Sequence, residues 1–155
     1  MKRLAVVVAF ACLVPLAAGC SSGKKTAAAR YEEGAKALEA KNFDLAISCF
    51  SDAVRDDPGS YKAWFGRGQA YGGKELWSLA VADFTEAIKL DPGSADAYAA
   101  RGMAHSAAGD YDPAIADLKK AVGLGYDQSK ADGIIASVQE LKALRGRTGS
   151  GGADR

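Results

Sequence analysis

The sequence repeats itself at a fixed interval, since the tetrapeptide Asp-Pro-Gly-Ser at 57–60 returns at 91–94. Proline disfavours helix at the residue before it, and Asp, Gly and Ser are turn residues, so each copy predicts a turn between helices. Self-similarity at a period of 34 residues is typical of chains that stack pairs of helices into a solenoid. The repeat therefore predicts an all-α fold.

Small and large side chains recur at fixed positions in three copies. They are Arg30, Gly34, Ala37, Ala46, Phe50, Ala53 and Pro58; then Trp64, Gly68, Tyr71, Ala80, Phe84, Ala87 and Pro92; then Tyr98, Gly102, His105, Ala114, Leu118, Ala121 and, in place of proline, Tyr126. The pattern resembles the tetratricopeptide repeat, in which small residues let two antiparallel helices approach and an aromatic ring fills the gap. The resemblance implies a right-handed superhelical solenoid of three helical hairpins.

The repeat register sets the expected boundaries. The three repeats span 27–60, 61–94 and 95–128, with helices at about 27–40, 43–55, 61–73, 77–90, 95–108 and 111–123. Residues 129–144 predict one more amphipathic helix, which would cap the third repeat or, alternatively, dock a partner or fold into the groove. Its apolar side carries Ile134, Ile135, Val138, Leu141 and Leu144. Residues 145–155 contain four glycines and no large apolar residue, which predicts a disordered tail.

The segment 1–19 has the plan of an export signal: a basic end, an uncharged run from Leu4 to Ala18, and small residues at its close. Leu-Ala-Ala-Gly-Cys at 16–20 resembles the lipobox of bacterial lipoproteins, with Ala17 where leucine is commonest. The resemblance implies a lipidated Cys20, a tether at 20–26, and attachment to the membrane through lipid only. Because Ser21 follows the cysteine, it also implies the outer membrane, facing the periplasm. The alternative is an ordinary secretory leader.

Charge and chemistry-bearing residues exclude several classes of function. The net charge is +1 and no basic stripe is visible, which argues against nucleic-acid binding. The single histidine, His105, stands where the repeat usually has an aromatic residue, and we interpret it as a packing residue. With one histidine and no paired cysteines, we expect no metal site, no catalytic site, and no cofactor beyond lipid on Cys20.

A charge correlation accompanies the repeat. The second copy contains Arg67 and Asp83, and the third contains Arg101 and Asp117 at the equivalent positions. We hypothesise that each pair bridges the two helices of its repeat. Partly exposed pairs contribute about 0–1 kcal/mol, so such a bridge would fix helix register more than it stabilises the fold.

The family resemblance also places a concave groove along the first helix of each repeat. Carried over to this sequence, its lining is Ala28, Tyr31, Glu32, Ala35, Leu38, Lys62, Phe65, Gly66, Gln69, Asp96, Ala99, Ala100 and Met103. This mostly small and apolar set suits an apolar peptide or an amphipathic helix. The residues by which some relatives hold acidic chaperone tails are missing. Alternatively, Tyr31 and Phe65 only pack against neighbouring helices.

Together these patterns predict a lipid-anchored adaptor or assembly factor of the bacterial envelope that binds a protein or peptide partner in its groove. The alternative within binding proteins is a permanent structural subunit of an envelope complex, such as pilus, secretion or cell-wall machinery. An enzyme would need a convergent polar site, which the sequence does not suggest.

Overall fold

The structure, a computed structural model, describes residues 26–149, and all regular structure in that range is helical. The helices are α1 (Ala27–Glu39), α2 (Phe43–Asp56), α3 (Tyr61–Gly73), α4 (Trp77–Leu90), α5 (Ala95–Ala108), α6 (Tyr111–Gly123) and α7 (Gln128–Gly149). Helices α1 to α6 pack as three hairpins, and each first helix also contacts the second helix of the preceding repeat. The predicted all-α solenoid is confirmed, with the first six helices within one residue of their expected bounds.

The repeated tetrapeptide forms the same turn twice. Asp91 accepts a hydrogen bond from the backbone N–H of Gly93 at 3.0 Å, and Ser94 accepts one from the N–H of Ala97 at 3.2 Å. The copy at 57–60 makes the equivalent bonds at 3.1 and 3.4 Å. A serine at the N-cap satisfies a backbone donor that the first turn of a helix leaves open. Each tetrapeptide therefore closes one hairpin and begins the next.

In the core, aromatic rings from the second helix of a repeat pack against glycines on first helices. Phe50 lies between Gly34 and Gly66, where a Cβ atom would stand 2.9 Å and 2.6 Å from the ring. Phe84 approaches Gly68 in the same way, at 2.7 Å from the position of a Cβ. Since real carbon atoms do not approach so closely, only glycine allows these helices to pack at this distance.

Helix α7 takes the place of the first helix of a fourth repeat. It packs against α6 and α5, as α3 packs against α2 and α1. Ala131 and Val138 are buried, so α7 covers the third repeat as expected. Leu141 and Leu144, which the sequence places on the same apolar side, are instead 47% and 48% exposed. Within the described residues α7 has no helix contacts with α1 or α3, so it leaves that part of the groove open.

The last helix is longer than predicted. It continues past Leu144 to Gly149, so the expectation that the tail becomes disordered at Arg145 is wrong for residues 145–149. Arg145 gives the reason, because its Nη1 donates to the carbonyl oxygen of Gly109 at 2.9 Å and its guanidinium lies 6.0 Å from the ring centroid of Tyr111. These contacts attach the extension to the turn between α5 and α6.

The predicted leader at 1–19, the lipidation site Cys20 and residues 21–25 of the tether lie outside the described residues, as do residues 150–155. Thr26 is the N-cap of α1 and accepts a hydrogen bond from the N–H of Ala29. Between Thr26 and Gly149, no helix combines the length and apolar character needed to cross a membrane.

Candidate peptide-binding groove

The groove-lining helices are held in register by the predicted arginine pairs. Arg67 on α3 donates from Nε and Nη2 to the two carboxylate oxygens of Asp83 on α4, at 2.7 and 2.8 Å. Arg101 on α5 and Asp117 on α6 repeat this geometry at the same distances. The hypothesis that each pair bridges the two helices of its repeat is confirmed.

Each arginine also reaches back to the preceding repeat. Nη1 of Arg67 donates to Ser51 on α2 at 3.3 Å, and Nη1 of Arg101 donates to Thr85 on α4 at 3.2 Å. These partners were not predicted from the sequence, although Ser51 and Thr85 occupy equivalent positions in consecutive repeats. Each of these guanidinium groups therefore joins three helices. It positions its own helix against the second helix of the same repeat and the second helix of the preceding repeat.

The arginine pairs are more buried than the sequence suggested. Asp83 is 4% exposed, and the guanidinium of Arg67 is mostly covered. The hydrogen bonds from Arg67 to Asp83 raise the pKa of Arg67 above its usual range, and burial opposes this rise only in part. Removing one partner would leave the other charge buried and unpaired, so breaking this pair destabilises the fold more than breaking an ordinary surface pair.

The first repeat uses a different arginine. Arg30 on α1 contacts Asp52 through Nη1 at 2.7 Å and Asp56 through Nε at 2.8 Å, both on α2. The repeat register did not predict this bridge, because Arg30 stands one helical turn ahead of the position that Arg67 and Arg101 share. The sequence feature that could have predicted the bridge is the pair Asp52 and Asp56, which are spaced i, i+4 and lie on one face of α2.

Seven of the predicted groove residues line one pocket between α1 and α3. They are Tyr31, Ala35, Leu38, Lys62, Phe65, Gly66 and Gln69. The pocket has a volume of about 190 Å³, and Glu39, Phe50 and Tyr61 complete its lining. Phe50 was not predicted as a lining residue, because it lies on a second helix; its buried ring packs beneath the pocket, against Gly66.

Aromatic side chains form most of the apolar wall of this pocket. The rings of Tyr31 and Phe50 lie 5.7 Å apart, and those of Tyr61 and Phe65 are stacked at 5.6 Å. Tyr61 is fixed further by a 2.7 Å hydrogen bond between its hydroxyl and Ser94, and burial raises the pKa of this phenol. Tyr31 and Phe65 thus pack against neighbouring rings and line the pocket as well.

A second pocket continues the first toward the start of α1. It is lined by Ala27, Ala28, Tyr31, Glu32, Asp57, Ser60 and Lys62. Tyr31 and Lys62 line both pockets, so the two pockets are adjacent between α1 and α3; we call them together the α1–α3 channel.

The groove residues of the third repeat do not reach this channel. Asp96 and Met103 are exposed on α5, and Ala100 packs against the cluster that contains Phe65. Ala99 is 1% exposed, so its side chain offers no surface to a partner. The structure therefore concentrates the candidate site in the first two repeats.

Comparison with known proteins identifies the family. The tetratricopeptide repeat family model matches residues 31–76 and 71–129. The chain belongs to the tetratricopeptide repeat family. No curated protein sequence matches the chain at a significant level.

Solved structures share the fold of this tetratricopeptide repeat chain. The first such domain of human RPAP3 is 23% identical, with a TM-score of 0.74 over 81% of this chain and 98% of that one. The first domain of Spaghetti (RPAP3), bound to the HSP90 peptide SRMEEVD, is 23% identical, with a TM-score of 0.73 over 81% and 99%. A domain of Arabidopsis OM64 is 22% identical, with a TM-score of 0.70 over 74% and 94%. The TM-scores show a common fold, and at these identities the likeness shows the fold alone.

Catalytic chemistry finds little support in this repeat protein. His105 on α5 has a buried Nδ1, and its nearest carboxylate oxygen, on Asp110, is 3.6 Å away, too far for a hydrogen bond. Among residues 26–149, no group of three His, Cys, Asp or Glu side chains could hold a metal ion. Tetratricopeptide repeats are protein-interaction modules, and the channel is the feature here that suits that role.

Proposed function

We propose that this protein is a lipid-anchored adaptor or assembly factor of the bacterial envelope that binds a protein partner in the α1–α3 channel. The observation that carries the proposal is the solvent-accessible pocket walled by Tyr31, Tyr61 and Phe65, with the buried ring of Phe50 beneath them. Recessed aromatic side chains with a few polar groups at the rim are typical of recognition sites. The peptide held by the first domain of Spaghetti supports the use of this fold for such a task.

The anchor is supported by the lipobox-like sequence that ends at Cys20. If the mature chain begins at Cys20, six residues connect the lipid to α1, which begins at Ala27. A fully extended segment of six residues spans about 20 Å. The first repeat, which forms one wall of the channel, would then work close to the periplasmic surface of the outer membrane.

Cross-linking followed by capture from membranes tests the binding site. We expect Gln69→Arg to abolish capture of a specific envelope protein, because this exposed side chain lines the pocket and arginine adds bulk and charge at its rim. Gln139→Arg is the matched control, since Gln139 is exposed on α7 and lines neither pocket of the channel. Capture that survives Gln69→Arg would contradict the proposal.

The same material separates an adaptor from a permanent subunit. An adaptor is stable as a purified monomer and rebinds its partner reversibly, whereas a permanent subunit co-purifies with its complex and is unstable alone. We expect reversible unfolding of the isolated protein and recovery of the partner only when cross-linker is added.

A further inference from the structure

We infer that the α1–α3 channel selects a peptide segment with one aromatic side chain flanked on both sides by basic residues. The inference rests on the proposed function and names the chemical class of its partner. It follows from two properties of the channel: the size of its apolar pocket and the charge of the residues that line it.

The pocket fits a single ring. Its volume is about 190 Å³, and its lining includes the rings of Tyr31, Tyr61 and Phe65, with the buried ring of Phe50 behind them. A cavity of about 150 Å³ lined by apolar side chains is large enough to bind benzene. An aromatic side chain inserted here would meet the edges and faces of neighbouring rings, which is a favourable arrangement beyond simple burial.

The channel is predominantly acidic. Its lining contains the carboxylates of Glu32, Asp57 and Glu39, and one cation, Lys62. Glu32 and Asp57 line the pocket toward the start of α1, whereas Glu39 lines the aromatic pocket at the end of the same helix. Carboxylates therefore line both pockets, and along α1 the pocket residues Ala35 and Leu38 lie between Glu32 and Glu39.

The spacing along α1 limits the arrangement of charges in the ligand. Glu32 and Glu39 are two helical turns apart, which corresponds to about 10 Å along a helix axis. An extended peptide rises about 3.3 Å per residue, so residues two positions before and after a central aromatic residue are about 13 Å apart. Lysine or arginine at those positions can reach both carboxylates through their flexible side chains.

The same charges disfavour acidic peptides. The HSP90 peptide SRMEEVD, bound by the first domain of Spaghetti, carries three acidic residues and one arginine. In this channel its carboxylates would approach Glu32, Asp57 or Glu39 with only Lys62 to compensate. Like charges brought together at an interface suppress binding of the wrong partner.

Selection from a random-peptide library tests the inference without presupposing a sequence. The full-length protein in detergent is the target, and peptides that also bind the Gln69→Arg variant are discarded as not channel-dependent. We expect the remaining peptides to share an aromatic residue with lysine or arginine about two positions to either side. Channel-dependent peptides that are acidic or uncharged would overturn the inference but leave the proposed function intact. If no peptide depends on Gln69, the proposed function fails as well.

Charge reversal supplies a second, independent readout on the selected peptides. Glu39→Lys is expected to lower the affinity for a basic peptide by about fivefold. It should also reduce the loss of affinity that added salt causes. Glu140→Lys makes the same charge change on exposed α7, outside both pockets, and is expected to leave affinity within about twofold. Equal effects of the two substitutions would contradict a local role for the carboxylate of Glu39.

Discussion

The guanidinium of Arg67 and the carboxylate of Asp83 form two parallel hydrogen bonds of 2.7 and 2.8 Å between α3 and α4. The pair recurs one repeat later as Arg101 and Asp117, with the same atoms and distances. Two-pronged pairs of this kind fix orientation as well as distance. Because α3 forms one wall of the α1–α3 channel, the register set by Arg67 also determines the shape of the candidate binding site.

Removal of Asp83 is expected to destabilise the fold strongly. Asp83→Ala leaves the mostly buried Arg67 cation without its main acceptor, and breaking a buried pair costs about 3 kcal/mol of unfolding free energy. Glu86→Ala, on the same helix, breaks the more exposed pair with Lys89 and is expected to cost about 0.5 kcal/mol or less. Urea denaturation followed by circular dichroism measures both, and equal losses would contradict the role assigned to Asp83.

Substitution by alanine is expected to have opposite effects on stability at two glycines, one on α3 and one on α7. Gly66→Ala places a Cβ 2.6 Å from the ring of Phe50, and such overpacking costs about 1–3 kcal/mol. Gly133→Ala meets no atom within 4 Å and should stabilise α7 by about 0.5–1 kcal/mol, because alanine is the better helix former. Thermal unfolding of the two variants tests the close approach. A Gly66→Ala protein as stable as the parent would show that Phe50 can move away.

The constant period of the repeat explains how much could be predicted before the structure. It placed the turns, the first six helices and the bridge between Arg67 and Asp83, because each of these is repeated in the sequence itself. It also named seven residues that lie together in the pocket. Whether those residues bind a partner stays a prediction.

Features that occur once were missed. The bridge from Arg30 to Asp52 lies outside the repeat register, and the extension of α7 depends on contact between Arg145 and the distant Gly109 carbonyl. Phe50 was assigned to the core from its motif position, which is correct, but its ring also forms part of the pocket. A single side chain that serves two surfaces cannot be recognised from a one-dimensional pattern.

Tyr61 predicts a pH dependence of stability. Burial raises the pKa of its phenol above 10.0 in the folded protein, so the unfolded chain ionises first as the pH rises. The associated stability is fully present below about pH 10 and is lost as the pH rises through the folded-state pKa.

Tyr61→Phe tests this dependence directly. The variant loses the hydrogen bond to Ser94, which costs about 1 kcal/mol at neutral pH, but it should lose less stability than the parent between about pH 9 and 11. Urea denaturation at a series of pH values measures the difference between the two proteins. A constant difference across this range would contradict the raised pKa.

The proposed lipid anchor predicts the behaviour of a Cys20→Ser variant. The parent is expected to incorporate labelled palmitate and to sediment with membranes, because two or more acyl chains bind a bilayer stably. The variant should lose the label and appear in the soluble fraction, while Gln139→Ser, which changes an exposed residue of α7, should keep both properties. Palmitate labelling that persists in Cys20→Ser would refute the assignment of the lipidation site.

Helix α4 lacks a side-chain N-cap, and the first repeat shows which residue could supply one. Leu76 occupies the N-cap and is 42% exposed, and its side chain makes no capping hydrogen bond. Asn42, at the equivalent position of the first repeat, caps α2 by accepting a hydrogen bond from the N–H of Leu45 at 3.3 Å. The two helices begin in equivalent turns, since the preceding residues, Lys41 and Glu75, both have positive φ angles of 55° and 60°.

Leu76→Asn is therefore expected to stabilise the protein. Asparagine at this position can accept the N–H of Leu79, and a capping side chain is worth about 1 kcal/mol, or about 3 °C in Tm for a chain of this size. The loss of the leucine costs less than the loss of a core side chain, because Leu76 is already 42% exposed. Leu79→Asn is the control: Leu79 is similarly exposed but lies inside the first turn of α4, where asparagine cannot act as the N-cap and is the poorer helix former. If both substitutions lower Tm, the leucine at the N-cap contributes more through its remaining contacts than a cap would.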